Sequence, residues 1–191
     1  ISIADWEVNF QQQFKIQNKD GLSIYIHLPF CESLCTYCGC NKKITTNHNV
    51  ESRYIDAVLS EWKMYLELMN TRPVLKEIHL GGGTPTFFSA ANLKKLINGI
   101  TESCIVHPQH EFGIEAHPNY TSHEQLEELY KLGFRRISFG VQDNNAEVQR
   151  IINRIQPFEN VRDVTEAARR VGFTSVNFDL IYGLPLQTVR S

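Results

Sequence analysis

Hydrophobic residues in this chain switch between two spacings, and the switch recurs along its length. Ser23–Pro29 (SIYIHLP) alternates, with Ile24, Ile26 and Leu28 on one face and Tyr25 and His27 on the other. That period of two marks a strand. Between Val50 and Met69 the spacing becomes helical, and Tyr54, Val58, Trp62 and Tyr65 fall on one stripe. Lys76–Leu80 reads as a second strand running into Gly81-Gly82-Gly83-Thr84-Pro85, followed by a helix over Asn92–Ile105 and a strand over Glu111–Ala116. Thr121-Ser122-His123-Glu124 reads as a capping box opening a helix with Leu126, Leu129, Tyr130 and Leu132, which Gly133 ends. Arg136–Val141 is a strand, Pro157–Val171 a helix closed by Gly172, and Ser175–Ile181 the last strand. The segments KLGFRRISFGVQ and RVGFTSVNFDLIYG repeat one pattern: helix end, Gly-Phe, strand.

Strand and helix in alternation with short connections predict a parallel sheet with right-handed crossovers. If Ile24, Ile26, Ile78, Leu80, Ile137, Phe139, Val176 and Phe178 face the helices, the other face carries Tyr25, His27, His79, Glu115, Ser138, Gly140, Gln142, Asn177 and Asp179. A flat doubly wound sheet needs both faces apolar. The polar set suits the lumen of a partial TIM-like (βα) barrel, with its site at the carboxyl ends of the strands. The expected fold is therefore α/β, a barrel truncated after about five βα repeats. Residues 1–22 form an N-terminal segment before a barrel domain over 23–191. Ile1 at the start, and a last residue, Ser191, that follows a loop signal, read as a piece of a longer protein.

Composition narrows the class only a little. Hydrophobic content of 42%, charged content of 21% and a net charge of −2 are ordinary for a globular protein. They give no basic footprint for nucleic acid, and no apolar run approaches the ~20 residues that span a bilayer. The expectation is a cytoplasmic protein with neither membrane nor nucleic acid as partner.

Four of the five cysteines are far more telling. Cys31, Cys35, Cys38 and Cys40 fall in HLPFCESLCTYCGCNKK, and the first three read C-x-x-x-C-x-x-C. Clustered cysteines without a secretory context point to metal rather than disulfides. Iron–sulfur clusters usually take four cysteines. Three on one loop hold three irons of a 4Fe–4S cube and leave the fourth iron for a ligand that is not protein. The competing reading is a structural zinc site completed by Cys40, His27 or His48. Cys104, in an apolar helical pattern, reads as a buried small hydrophobe.

The glycine run lacks the lysine of a P-loop and the spacing of a dinucleotide fingerprint, so it stands as a turn or a loop that approaches a ligand. Glu115, Gln142 and Asp179 sit at three strand ends, a rim suited to hydroxyls or an ammonium group. Arg154 has the fork to pair with a carboxylate, although a surface arginine is its ordinary reading. Glu124, Glu127 and Glu128 read as a solvated helix face, and His48, His107, His110 and His123 as surface residues.

Taken together, YCGCN, GGGTPT, GVQDNNAEVQRIINR and NFDLIYGLP resemble the oxygen-independent coproporphyrinogen III oxidases of the radical S-adenosylmethionine superfamily, over about Ser23 to Gln187. The resemblance implies that Cys31, Cys35 and Cys38 ligate a 4Fe–4S cluster whose open iron is chelated by S-adenosylmethionine. A 5′-deoxyadenosyl radical then takes hydrogen from a propionate β-carbon of coproporphyrinogen III, and loss of carbon dioxide and one electron leaves a vinyl group. Two such events give protoporphyrinogen IX. The family carries two S-adenosylmethionine molecules, and its contacts match Tyr25, Tyr37, Gly82, Gly83, Thr84, Glu115, Gln142, Arg154 and Asp179. His27 and Cys40 match positions near the substrate, with Cys40 not a cluster ligand. A flavodoxin- or ferredoxin-like electron donor and a monomeric state are also implied, as are a further barrel strand and a C-terminal helical domain that this sequence lacks. Tyr37 stands where some relatives have Phe, and His117 where relatives often have an acidic or amide residue. A related haem-binding chaperone is the alternative, and C-G-C-N at Cys38–Asn41 argues against it.

Overall fold

The computed structural model describes residues 2–188. A five-stranded, all-parallel sheet organises them. Its strands are β1 (Leu22–Leu28), β4 (Val74–Gly82), β5 (Ile105–Ala116), β6 (Phe134–Gln142) and β7 (Ser175–Leu180), side by side in chain order. Two short strands, β2 (Phe30–Cys31) and β3 (Lys43–Ile44), pair in parallel and close the base of the cysteine loop. Six helices accompany them: α1 (Ile3–Gln17), α2 (Val50–Met69), α3 (Ala90–Thr101), α4 (His123–Lys131), α5 (Ala146–Ile151) and α6 (Phe158–Val171).

Register explains the core. Ile24 pairs with Ile78 and Ile78 with Phe112, while Ile26, Leu80, Ile114, Ile137 and Val176 form the next row. Period two places these residues on one face, where α2, α3, α4 and α6 cover them. Leu80 and Phe139 are fully buried there, and Ile78, Ile114 and Ile137 nearly so. Burial of that face, at ~25 cal/mol per Å² of apolar area, is what holds helices to sheet. The other face carries Tyr25, His79, Ser138, Asn177 and Asp179, and the expected partial barrel with a polar lumen is the observed arrangement.

Several local expectations shift. The helix expected over Asn92–Ile105 runs Ala90–Thr101, because Ser89 caps it by accepting from the Asn92 N–H, and Ile105 already belongs to β5. The capping box lies one residue later than expected: Ser122 accepts from the Gln125 N–H, and Gln125 reaches back to the Ser122 N–H. Gln125 is chosen over Glu124 because its amide also donates to the Thr86 and Phe88 carbonyls, tying α4 to the loop after β4. Phe178, expected under the helices, is 43% exposed although it pairs with the buried Phe139, since no described element covers the end of β7. Helices α1 and α5 are not announced by the hydrophobic spacing described above. Both have side-chain caps, Ser2 with Asp5 and Asn145 accepting from the Glu147 and Val148 N–H groups. In α1, Trp6, Phe10 and Phe14 recur every fourth residue and pack toward Tyr65. Residues 189–191 of the predicted barrel domain lie outside the described residues.

Candidate functional site

The cysteine loop leaves the sheet at the carboxyl end of β1 and is pinned at both ends. Lys43 N–H donates to Pro29 O at 2.8 Å and Thr45 N–H to Cys31 O at 2.9 Å. Across the loop, Thr36 N–H meets Ile152 O at 3.1 Å and the Asn153 amide meets Leu34 O at 2.8 Å, so the turn that ends α5 braces its far side. Lys42 Nζ donates to Cys38 O at 2.7 Å and Cys40 O at 3.3 Å. The first two bonds extend the short β2–β3 pairing at the base, and between the strands, where the loop has no regular structure, the bonds from Asn153, Thr36 and Lys42 hold it.

Beneath it lies a cavity of about 160 Å³ walled by Cys31, Cys35, Cys38 and the strand ends. Every expected site residue lines it except Tyr25 and His27, which stand alongside. Thr84 Oγ1 donates to Cys31 Sγ at 3.3 Å, and Arg154 Nη1 to Cys35 Sγ at 3.5 Å. Arg154 is thus no free surface residue. Its Nη2 also donates to Gly140 O at 2.6 Å, and its Nε is buried with no partner. Gly83 is demanded by the close approach of β2: a Cβ there would come within 2.6 Å of Pro29 O and 3.0 Å of Cys31 Sγ. Gly82 has φ +117°, and a Cβ would strike the His27 ring at 2.8 Å.

The rim is partly prearranged. Glu115 accepts from Gly82 N–H at 3.3 Å and lies 3.2 Å from His79 Nε2, whose ring stacks on Tyr25 at 5.8 Å. Tyr25 Oη lies 3.4 Å from His27 Nδ1, and His27 Nε2 lies 2.7 Å from Asn41 O. Asp179 accepts from Ser138 Oγ at 2.9 Å, and Gln142 sits at φ +67° where β6 ends. His79 and Ser138 were placed on this face by period two but not singled out. Only their pairing with Glu115 and Asp179 reveals them, and register across strands is not written in one strand's sequence.

Burial pushes the Cys31 thiol above its ordinary range, partly offset by the Thr84 hydroxyl and reinforced by Cys38 and Cys35 nearby. Cys40 is raised by burial and by Cys38 beside it, and Tyr37 is raised strongly, chiefly by burial. Tyr25 is raised by burial, then by the Glu115 and Cys40 charges. A metal ion supplies the opposing charge that lets a raised thiol such as Cys31 ligate as thiolate. The residues fit an iron–sulfur cluster on that ground: three thiols on one cavity wall, a glycine cradle beside Cys31, and an arginine with an unpaired buried nitrogen. Among the described residues no three His, Cys, Asp or Glu side chains are grouped to hold a single metal ion.

His48 is a surface residue as expected, 51% exposed, and its ring nitrogens are turned to carboxylates rather than to the cysteines. Its Nδ1 lies 2.7 Å from Glu51 Oε1, its Nε2 3.5 Å from Glu32, and its ring stacks on Phe87 at 4.3 Å. Glu51 is buried, which raises its pKa. Hydrogen bonds from Ser89 N–H, Asn92 and His48 outweigh that and hold the carboxyl below its ordinary value. Cys104 is buried as expected. Among the described residues no helix is long and apolar enough to cross a membrane.

An oxygen-independent coproporphyrinogen III oxidase of Helicobacter pylori strain J99 is 42% identical over 174 residues, covering 91% of this chain and 38% of the relative. The enzyme of the same name from Escherichia coli K12 is 42% identical over 170 residues, 89% of this chain and 37% of the relative. The chain therefore spans well under half the length of these relatives. The solved coproporphyrinogen III oxidase of Escherichia coli superposes with a TM-score of 0.83 at 41% identity, over 88% of this chain and 38% of that one. A radical S-adenosylmethionine methyltransferase from Kitasatospora setae, at 12% identity and a TM-score of 0.57, shares the fold alone. The model of the radical SAM superfamily, whose members use a 4Fe–4S cluster and S-adenosylmethionine, matches residues 25–191, most of the chain, and the chain belongs to that superfamily.

Proposed function

We propose that the protein to which this chain belongs is an oxygen-independent coproporphyrinogen III oxidase of haem biosynthesis. It would convert two propionates of coproporphyrinogen III to vinyl groups with loss of carbon dioxide, giving protoporphyrinogen IX. The observation that carries this reading is the meeting, in one cavity, of three cysteine thiols, the Gly82-Gly83-Thr84 turn and the Glu115, Gln142 and Asp179 rim. The relatives' names supply the substrate.

In this reading Cys31, Cys35 and Cys38 hold the cluster, each on its own iron. Cluster and S-adenosylmethionine, when bound, supply one-electron reductive cleavage and a radical that abstracts hydrogen. The chain's own residues do the rest. Thr84 and Arg154 aim donors at the Cys31 and Cys35 sulfurs. Tyr25, Tyr37, Gly82, Gly83, Thr84, Glu115, Gln142, Arg154 and Asp179 bind cofactor, and backbone groups of the glycine turn approach it without side-chain obstruction. Arg154 carries the charge for a carboxylate, and Glu115 and Asp179 accept from ammonium or hydroxyl. His27 and Cys40 face substrate. A second S-adenosylmethionine, a flavodoxin- or ferredoxin-like donor, a cytoplasmic monomer and a covering C-terminal domain complete the proposal.

The test is an anaerobic assay of the full-length protein with coproporphyrinogen III, S-adenosylmethionine and a one-electron reductant. Protoporphyrinogen IX with two equivalents of carbon dioxide is the expected product. Turnover of S-adenosylmethionine with no change in the tetrapyrrole would assign the cavity to another substrate.

A further inference from the structure

His117 follows directly on the strand that carries Glu115 and walls the same cavity. Its backbone is fixed from both sides. The N–H donates to Thr86 Oγ1 at 3.3 Å, and the carbonyl accepts from Thr121 Oγ1 at 2.9 Å and from Tyr120 N–H at 3.0 Å. The ring is 7% exposed and packs on Tyr120 with centroids 4.6 Å apart. Nδ1 accepts the Asn119 N–H at 3.1 Å, so that nitrogen carries no proton. The proton of the neutral ring must then sit on Nε2. Rotating the ring by half a turn would break the Nδ1 bond, so the donor's direction is fixed too.

Capping the turn at Asn119 accounts for Nδ1 and leaves Nε2 unexplained. No described protein group accepts from it. His117 is nearly buried as a residue while Nε2 itself is not wholly closed off, and a donor left open on a cavity wall can be matched by whatever fills the cavity. We propose that His117 is a cofactor-binding residue, its Nε2–H donating to an uncharged acceptor on S-adenosylmethionine. This rests on reading the cavity as the cofactor site. Burial, and then the neighbouring Arg154 charge, hold the imidazole down to a pKa of about 3, so the donor is neutral across the working range. Arg154 supplies the cation on that wall, and His117 supplies a direction.

Two variants separate binding from capping. Asn places an acceptor where Nδ1 stands and nothing where Nε2 stands. Gln places an amide N–H near the Nε2 position and loses the cap. Titration calorimetry with S-adenosylmethionine on the full-length, cluster-loaded protein, beside thermal melts, reads both. We expect His117→Asn to melt like wild type and bind about three- to tenfold more weakly, the loss of one neutral hydrogen bond. His117→Gln should melt lower and bind within about twofold of wild type, since that bond is kept. Wild-type affinity in His117→Asn with weakened binding in His117→Gln would overturn the proposal. Should His117→Asn not fold, weakened binding in a folded His117→Gln would do the same. Absence of S-adenosylmethionine binding by the wild type would remove the cavity reading and the inference together.

Discussion

Two faces of the same five strands have opposite fates. Ile137 and Phe139 point into the helical layer and are buried, while Ser138 between them points to the lumen and holds Asp179. Neighbours in sequence thus belong to different economies of interaction. On the covered face, packing density sets the cost of any change. On the lumen face, side chains keep polar partners rather than close packing: Tyr25 is 57% exposed, and Glu115 and His79 are about half exposed. Stability and ligand binding can therefore be altered separately by moving one residue along a strand.

The sharpest test of this separation is the cysteine loop, which belongs to neither face. Changing Cys31, Cys35 or Cys38 to Ala should abolish the cluster while the sheet keeps its fold, because the loop is held by Lys43, Thr45 and Asn153 bonds rather than by metal alone. Cys40→Ala should keep the cluster and lower turnover. Iron and sulfide analysis of the four variants checks this, and equal iron loss in Cys40→Ala would make it a ligand.

Next in size is a cut into the covered face. Phe139→Ala should cost about 3–5 kcal/mol by opening a cavity in the core. Ser138→Ala, one position away, should change stability by about 0.5 kcal/mol or less, as surface substitutions do. Denaturant melts of the two compare the faces directly, and equal losses would break the distinction.

What the sequence disclosed follows the same division. Period two alone places Tyr25, His27, Glu115, Gln142 and Asp179 on the lumen side, because alternation is local. The cysteine spacing likewise brought its three thiols to one cavity. What stayed illegible depends on partners far along the chain. Arg154 looked like a surface residue because its Gly140 and Cys35 contacts come from β6 and the cysteine loop. His48 is exposed as its polar surroundings suggest, but Glu32 of the cysteine loop beside its Nε2 and Phe87 stacked on its ring come from other segments and are not legible locally. Phe178 was misjudged for the reverse reason, since its pattern is local and its cover is not.

On the lumen face the effect should move from stability to affinity. Glu115→Ala and Asp179→Ala should each weaken S-adenosylmethionine binding by roughly ten- to hundredfold in the full-length protein, the range for hydrogen bonds to charged groups. Melting temperatures should barely change, because Glu115 is 43% exposed and carries little packing. Calorimetric titration decides, and unchanged affinity in both would take these carboxylates out of the site.

The smallest effect links the faces through acid. His117 is depressed in the folded protein to about 3, first by burial and then by Arg154, against an ordinary 6.5. The unfolded chain therefore binds the proton more readily. This contribution to stability is fully present above pH 6.5 and is lost progressively as pH falls toward the folded value, at about 1.4 kcal/mol per pH unit within that window. His117→Asn has no titrating ring, so its stability should fall less steeply between pH 6.5 and pH 4.5 than that of wild type. Urea melts of both proteins at half-unit steps would show it as curves that diverge downward from pH 6.5. Parallel curves would mean that His117 accepts a proton in the fold at its ordinary pKa, and that burial there does not keep the ring neutral.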